Sequence, residues 1–395
     1  MRTILAVCTI CVALFNQNIH AQSYQIIDLG TLGGSYSQAE AMNNSGQVVG
    51  NSPTVEETAH GFLYLNGFMH DLGTLGGTYG DATSINSNGV VAGYAQLSGD
   101  AISHAYIYTN HLLIDIDTLN TGRASVSQGM NNKGQVVGYL YEANGNYNAF
   151  LYSGGAMQDL GNFGGLSCFA VAINDAGLIA GTFTDSGGTT HPSILNANGT
   201  LTDLGSLGGS GFVRGMNNSG QIVGASGGHA FVYTNGAMVD LGPGIAYAVN
   251  NSGQVVGTTE SYTGNAILFS GSTQIDLNSL IPAGSGWALT TAAAINDQGQ
   301  IAGYGISPSG QTHAFLLQPV SIPMKITGSS ITMGVTVVGN PPITYQWSLK
   351  GHVVAGASVA SLTITNGSQT GTYKVTATDA SAKSVQQSFN VNIMP

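Results

Sequence analysis

Seven copies of one short unit run through this 395-residue chain, and that repetition limits its fold more than any other feature. The string Asp-Leu-Gly-Thr-Leu-Gly-Gly beginning at Asp28 returns at Asp71, and weaker copies begin at Asp115, Asp159, Asp203, Asp240 and Asp276. A second marker, Asn-x-x-Gly followed by aliphatic residues, starts at Asn43, Asn86, Asn131, Asn174, Asn217, Asn250 and Asn296. The Asn spacings of 43, 45, 43, 43, 33 and 46 residues lie in the range in which four-stranded propeller blades repeat. The copies therefore bury their apolar faces on one another.

Each unit reads as four strands. The first runs into the Asn, and the residue two before it is always small (Ala41, Ser84, Gly129, Ala172, Gly215, Ala248, Ala294), as expected where strands crowd near an axis. Asn-x-x-Gly is a tight hairpin turn, because Asn bonds its own backbone and Gly supplies positive φ. A second strand of Gly-Gln-Val-Val-Gly type follows. The third carries His60-Gly61-Phe62 and its counterparts, and the fourth ends in Asp-Leu. Pro192, in His191-Pro192-Ser193, has no N–H to give a ladder, so the fourth unit is expected to be irregular there.

The chain enters with a lone fourth-type strand, Tyr24 to Leu29, and leaves the repeats after a third-type strand, Ala314 to Leu317. Pairing the two closes a ring and removes two sheet edges. The expected fold is all-β: a seven-bladed β-propeller of four-stranded blades closed by an N-terminal strand over 22–320, then an immunoglobulin-like β-sandwich over 321–395. An open solenoid is the alternative, but it needs polar capping units, and the terminal copies look like interior ones.

Composition agrees with many short strands and excludes some partners. Only 7% of residues are charged, against roughly 25% in ordinary soluble domains. The net charge is −11, and from Gln22 to Val320 the permanently basic side chains are Arg123, Lys133 and Arg214. Phosphate backbones need a basic patch, so nucleic acid is excluded as a partner, and an anionic membrane surface is disfavoured for the same reason. Residues 1–21 have the layout of a cleavable secretory signal peptide: Arg2, an apolar run from Ile4 to Phe15, and a polar stretch ending in Ala21. An uncleaved anchor is the alternative. With Cys8 and Cys11 removed, Cys168 stands alone in the mature chain and reads as a small buried hydrophobe. No membrane insertion is expected after cleavage, and the location is secreted, whether extracellular, cell-surface or periplasmic.

The linked Asp-Leu-Gly-Thr-Leu-Gly-Gly, Asn-x-x-Gly-Gln-Val-Val-Gly and His-Ala-Phe elements resemble the bacterial extracellular repeats of the HAF family over about residues 24 to 318. The third copy departs at Asp115-Ile116-Asp117, the fourth at His191-Pro192-Ser193, and the sixth is shortened after Gly242. The resemblance implies a secreted or cell-surface repeat protein and brings no agreed activity. Farther on, Pro341 to Trp347, Ser361 to Ile364 and Gly371 to Val375 resemble a bacterial immunoglobulin-like domain. The resemblance makes Trp347 the core Trp and Tyr373 the corner Tyr. Val375 stands where a second core Cys is often found, so no inter-sheet disulfide is expected.

No residue set identifies a reaction. A third-strand ring of His60, His104, His191, His229 and His313 is too wide for one ion bound at about 2 Å, and two copies carry Asn148 or Asn265 instead. Hydrogen bonding within each unit explains His and Asn equally. The seven Asp of the Asp-Leu pairs read as turn-bonding residues rather than as partners of those His. No metal and no cofactor is expected. What remains are positions that break the repeat: three before the Asn stand Glu40, Thr83, Gln128, Val171, Arg214, Tyr247 and Ala293. From these and nearby loops the candidate binding residues are Arg123, Arg214, Tyr247 and Trp287. The leading expectation is a non-enzymatic extracellular binding or adhesion protein for a glycan or protein. The alternatives are a secreted propeller glycosidase or lyase, which would need two or three non-repeat acids close together at the channel mouth, and a structural surface component. The oligomeric state is not specified by the sequence.

Overall fold

A computed structural model describes residues 23–196, 200–259, 264–270, 273–320, 330–334, 344–354, 358, 361–365, 371–378 and 384–391. The signal-peptide reading of 1–21 and the segment 341–343 lie outside the described residues. The chain divides into two compact units, one of them Tyr24–Pro319 and the other taking in Val320–Pro395. The described residues are all-β apart from one 3-10 turn, Leu277–Leu280, and contain eight four-stranded antiparallel sheets.

Seven of those sheets belong to the repeats, one for each copy. In the first, Gln38–Met42, Val48–Pro53, Ala59–Leu65 and Phe68–Asp71 pair in chain order. The last differs: Ala288–Ile295, Ile301–Ile306 and Thr312–Val320 are completed by Ser23–Asp28 from the start of the repeats. Leu29 N donates to Ala314 O at 3.0 Å, which extends that closure by one residue.

Apolar packing runs between sheets, as wedges require. Among the described residues every apolar cluster of this unit draws on two consecutive sheets. Val137 and Ala149 of the third pack on Cys168, Ala170 and Ile179 of the fourth, while Ala302 and Ala314 of the seventh pack on Ala39, Val48 and Phe62 of the first. The first strands of all seven sheets neighbour one another in an unbroken cycle, and the result is propeller-like. The small residues before the Asn are explained by this crowding: a Cβ on Gly129 would stand 2.6 Å from Val171 O.

The aromatic residue of the third strand sets a second constraint. Phe62, Tyr106, Phe150, Phe231 and Phe315 are fully buried, each burial worth roughly 1.5–3 kcal/mol. Each lies across from the Gly that ends the aliphatic run of the second strand, as with Gly138 and Phe150. A Cβ on Gly138 would meet the Phe150 ring at 2.8 Å and Val126 O at 2.0 Å, so only Gly fits.

Pro192 corrects one expectation. The ladder passes through Thr182 and Pro192 without a register shift, although the outer strand Leu201–Asp203 is only three residues long. The equivalent amides of Ala105 and Ala314 donate to Ser125 Oγ and Ser37 Oγ of the following copy. The missing N–H therefore costs an inter-sheet contact and leaves the ladder intact.

In the unit that takes in Val320–Pro395, Ser330–Gly334 pairs with Ser361–Thr365. A separate four-stranded sheet runs His352–Val353, Thr344–Leu349, Gly371–Thr378, Ser384–Val391. Trp347 and Tyr373 are buried, and Trp347 stands opposite Val375 in the ladder.

Candidate functional site

The two ends of the repeat ring are built from different kinds of residue. At one end lie the Asn turns. Asn43 Oδ1 accepts from the amides of Ser45 and Gln47, while its Nδ2 donates to Gln47 Oε1 and, at 3.0 Å, to Asn86 O of the next copy. Asn131, Asn217 and Asn250 repeat the pattern, and Asn296 donates to Asn43 O across 253 positions of sequence. The following residues add a second belt: Asn132 bonds Asp175, Asn218 bonds Asp175 and Asn251, and Asn251 bonds Asp297, which returns to Asn44.

On the outer strands each repeat Asp has two roles, where the sequence reading favoured one. Asp71 accepts from Gly73 N at 2.7 Å and from His60 Nδ1 at 2.9 Å. Corresponding pairs join His104 to Asp115, Asn148 to Asp159, His191 to Asp203, His229 to Asp240, Asn265 to Asp276 and His313 to Asp28. Imidazole Nδ1–H and the amide Nδ2–H present a donor at the same place, which is why both residue types serve. Among the described residues no cluster of three or more His, Cys, Asp or Glu could hold a metal ion.

The repeat-breaking residues have a common structural cause. Glu40, Thr83, Gln128, Val171, Arg214, Tyr247 and Ala293 each occupy the register shift of a β-bulge in a first strand. A bulge re-aims its extra side chain out of the ladder, so these seven side chains leave the alternation of their strands, and Val171 packs on the apolar cluster between the fourth and fifth sheets. Thr83 Oγ1 and Ser127 Oγ lie 3.0 Å apart between copies. Arg214, on the fifth sheet, is close enough for its charge to lower the pKa of Glu40 on the first. Glu40 is exposed to water yet enclosed by protein, the combination expected of a side chain facing a lumen. Burial pushes its carboxyl well up, the Asp81 charge adds to that, and Arg214 opposes it.

Asp81 stands behind Glu40, buried and also raised by desolvation, although Asn51, Tyr94 and Tyr79 bond it. These are two non-repeat acids that feel each other's charge, three and five positions before the Asn of their own first strands. Tyr79 and Tyr94 begin an aromatic arc that continues through Tyr139, Tyr141, Tyr147 and Phe169, with ring centroids 4.6–6.0 Å apart within its groups. Beside it an open cavity of about 230 Å³ is lined by Tyr94, Gln96, Asp100, Ser103, Tyr139 and Tyr141 among others.

Of the four candidate binding residues, the structure brings two together. The Arg214 guanidinium lies over the Phe212 ring at 4.8 Å and the Tyr247 ring at 5.5 Å. Arg123 is engaged by Glu142 and by Asp159. Trp287 packs edge-on against Phe315, on the apolar cluster between the sixth and seventh sheets. Cys168 is fully buried, with its thiol pushed up to about 12 by desolvation, so it stays protonated. The sequence reading missed Asp81, Tyr94, Tyr139 and Tyr141. A signal existed: the residue after the Gly that ends each second-strand aliphatic run varies through Asn51, Tyr94, Tyr139, Thr182, Ala225, Thr258 and Tyr304.

No family model and no curated protein matches the chain. Among solved structures it is similar to TolB from Acinetobacter baumannii, with 13% identity and a TM-score of 0.43 over 69% of this chain. It spans only 64% of that protein's length. A candidate TolB from Agrobacterium tumefaciens gives 12% identity and a TM-score of 0.42, with 75% of this chain and 98% of the other covered. The hydrazine synthase of Kuenenia stuttgartiensis gives 11% and 0.40, over 91% and 69%.

Proposed function

We propose that Tyr24–Pro319 is a seven-bladed β-propeller of the HAF-repeat type, followed by an immunoglobulin-like domain, in a secreted bacterial protein that binds an extracellular glycan. The observation that carries the ligand class is the cavity edged by Tyr94, Tyr139 and Tyr141, with Gln96 and Asp100 on its wall. Sugars present C–H faces and hydroxyl edges together, and half-buried tyrosines beside amide and carboxylate groups match both. At about 230 Å³ the cavity falls below the usual ~300–1,000 Å³ of ligand pockets, so it suits one sugar ring rather than a long chain. The arc from Tyr79 to Phe169 offers further stacking surface beside it. The immunoglobulin-like part serves as a spacer or docking module.

A glycan array probed with the full chain tests this reading, followed by titration of the best neutral hit. Tyr139→Ala is expected to weaken that hit by about tenfold, the loss of one stacked ring in a contact worth roughly 1.5 kcal/mol. Binding to no neutral glycan would instead favour a structural surface component. A glycosidase or lyase is the second reading, favoured by the juxtaposed acids Glu40 and Asp81. Release of product from a bound glycan, abolished by Glu40→Gln, would establish it.

A further inference from the structure

We infer that the lumen of the ring holds a second binding site, built on Arg214 and its two aromatic neighbours, for the carboxylate of a small organic acid. Arg214 projects from the bulge between Val213 and Gly215 and is exposed. Its guanidinium carbon lies over the Phe212 and Tyr247 rings, 4.8 and 5.5 Å from their centroids. A guanidinium carries five N–H donors in a fixed fork. Among the described residues Arg214 has no hydrogen bond to an acceptor and no carboxylate within ion-pair distance, whereas Arg123 is consumed by Glu142 and Asp159. In a repeat region with so few cations, an exposed arginine over two aromatic rings and without an acceptor is a prepared anion receptor.

The opposite wall selects the kind of anion. Glu40, on the first sheet, is near enough to Arg214 on the fifth for their charges to interact, and Asp81 is near enough to Glu40 to act on it in the opposite sense. A protonated Glu40 donates a hydrogen bond to a singly charged carboxylate, and the acidic wall repels a doubly charged phosphate. One carboxylate bridging the walls takes a bidentate pair from Arg214 and a donor from Glu40, with the Tyr247 ring beside its carbon skeleton. This site is separate from the tyrosine cavity, so each can fail without the other.

The test titrates full-length protein with sodium acetate, D-glucuronate, D-glucose and inorganic phosphate, followed by calorimetry and ligand-observed NMR. Saturable binding of glucuronate is expected, weakened by added salt. Arg214→Gln should reduce it by about tenfold or more, as for the loss of a charge-assisted bidentate contact, and Arg214→Lys should keep part of it. Tyr139→Ala should leave it unchanged. Acetate binding as well as glucuronate assigns the site to free acids, and glucuronate alone assigns it to sugar acids; both outcomes support a carboxylate site. Failure of both acids to bind, equal binding by a well-folded Arg214→Gln variant, or phosphate binding more tightly than either acid overturns the inference.

Discussion

At the Asn turns all seven copies repeat the same turn bonds and five reach the next copy, whereas along the strands that lead into those turns the copies differ from one another. Asn43, Asn131, Asn217 and Asn250 each satisfy their own turn and reach the next one. Glu40, Asp81 and Arg214 have no such counterparts in neighbouring copies. The contrast separates residues that make the ring from residues that the ring displays. A closed ring needs equivalent joints, so joint residues repeat. Lumen and rim side chains touch no equivalent partner and are free to diverge.

The two sets of residues also respond to pH in opposite senses. Burial raises the carboxyls of Asp175 and Asp297, but hydrogen bonds from Asn132 and Asn218, and from Asn251 and Asn44, outweigh it and hold both below the usual carboxylate range. Their contribution to stability is present above the unfolded pKa and is lost as pH falls through the folded value. For Glu40 and Asp81 the folded pKa is raised, so the folded state holds the proton more tightly than the unfolded chain. Their effect is to destabilise progressively as pH rises from the unfolded value through the folded one.

The largest expected effect falls on a joint. Asn131→Ala removes a buried side chain that bonds Lys133 N, Gln135 N, Gln135 Oε1 and Asn174 O, and should cost about 2–3 kcal/mol in denaturant unfolding. A loss below about 0.5 kcal/mol would mean the belt does not hold the ring, and the contrast between the two sets of residues would break. Next comes Glu40→Gln. It should leave the melting temperature near pH 4 unchanged and flatten its decline between about pH 5 and pH 8; a wild-type melting temperature that climbs steadily over that interval would contradict the lumen electrostatics. Smallest is Gln128→Ala, a bulge side chain whose amide, among the described residues, bonds only Ser127 O next to it, expected within about 0.5 kcal/mol of wild type by the same unfolding assay.

Much of this ring was legible beforehand because its causes are local and repeated. The Asn-x-x-Gly turns, the small residues two before each Asn, and the spare strand Tyr24 to Leu29 all mark the ring in one dimension. Asp71 was misjudged because a turn bond spans two residues while its bond to His60 crosses between strands 11 residues apart. Pro192 was misjudged because the direction of its missing N–H depends on the neighbouring copy. Arg123 and Trp287 broke the pattern as plainly as Arg214 did, and no sequence signal distinguished an arginine held by Glu142 and Asp159 from one left with free donors.

The sequence by itself determined the repeat unit, its four strands, the number of copies and the pairing that joins the first strand to the last, since turn chemistry, alternation and side-chain volume act over a few residues. Only the tertiary structure decided which of the irregular residues meet. Glu40 and Arg214 are separated by more than 170 positions of sequence, and their charges interact although their bulges lie on two distant sheets. Electrostatic and stacking partners are chosen by position in space, and closure of the ring is what sets those positions.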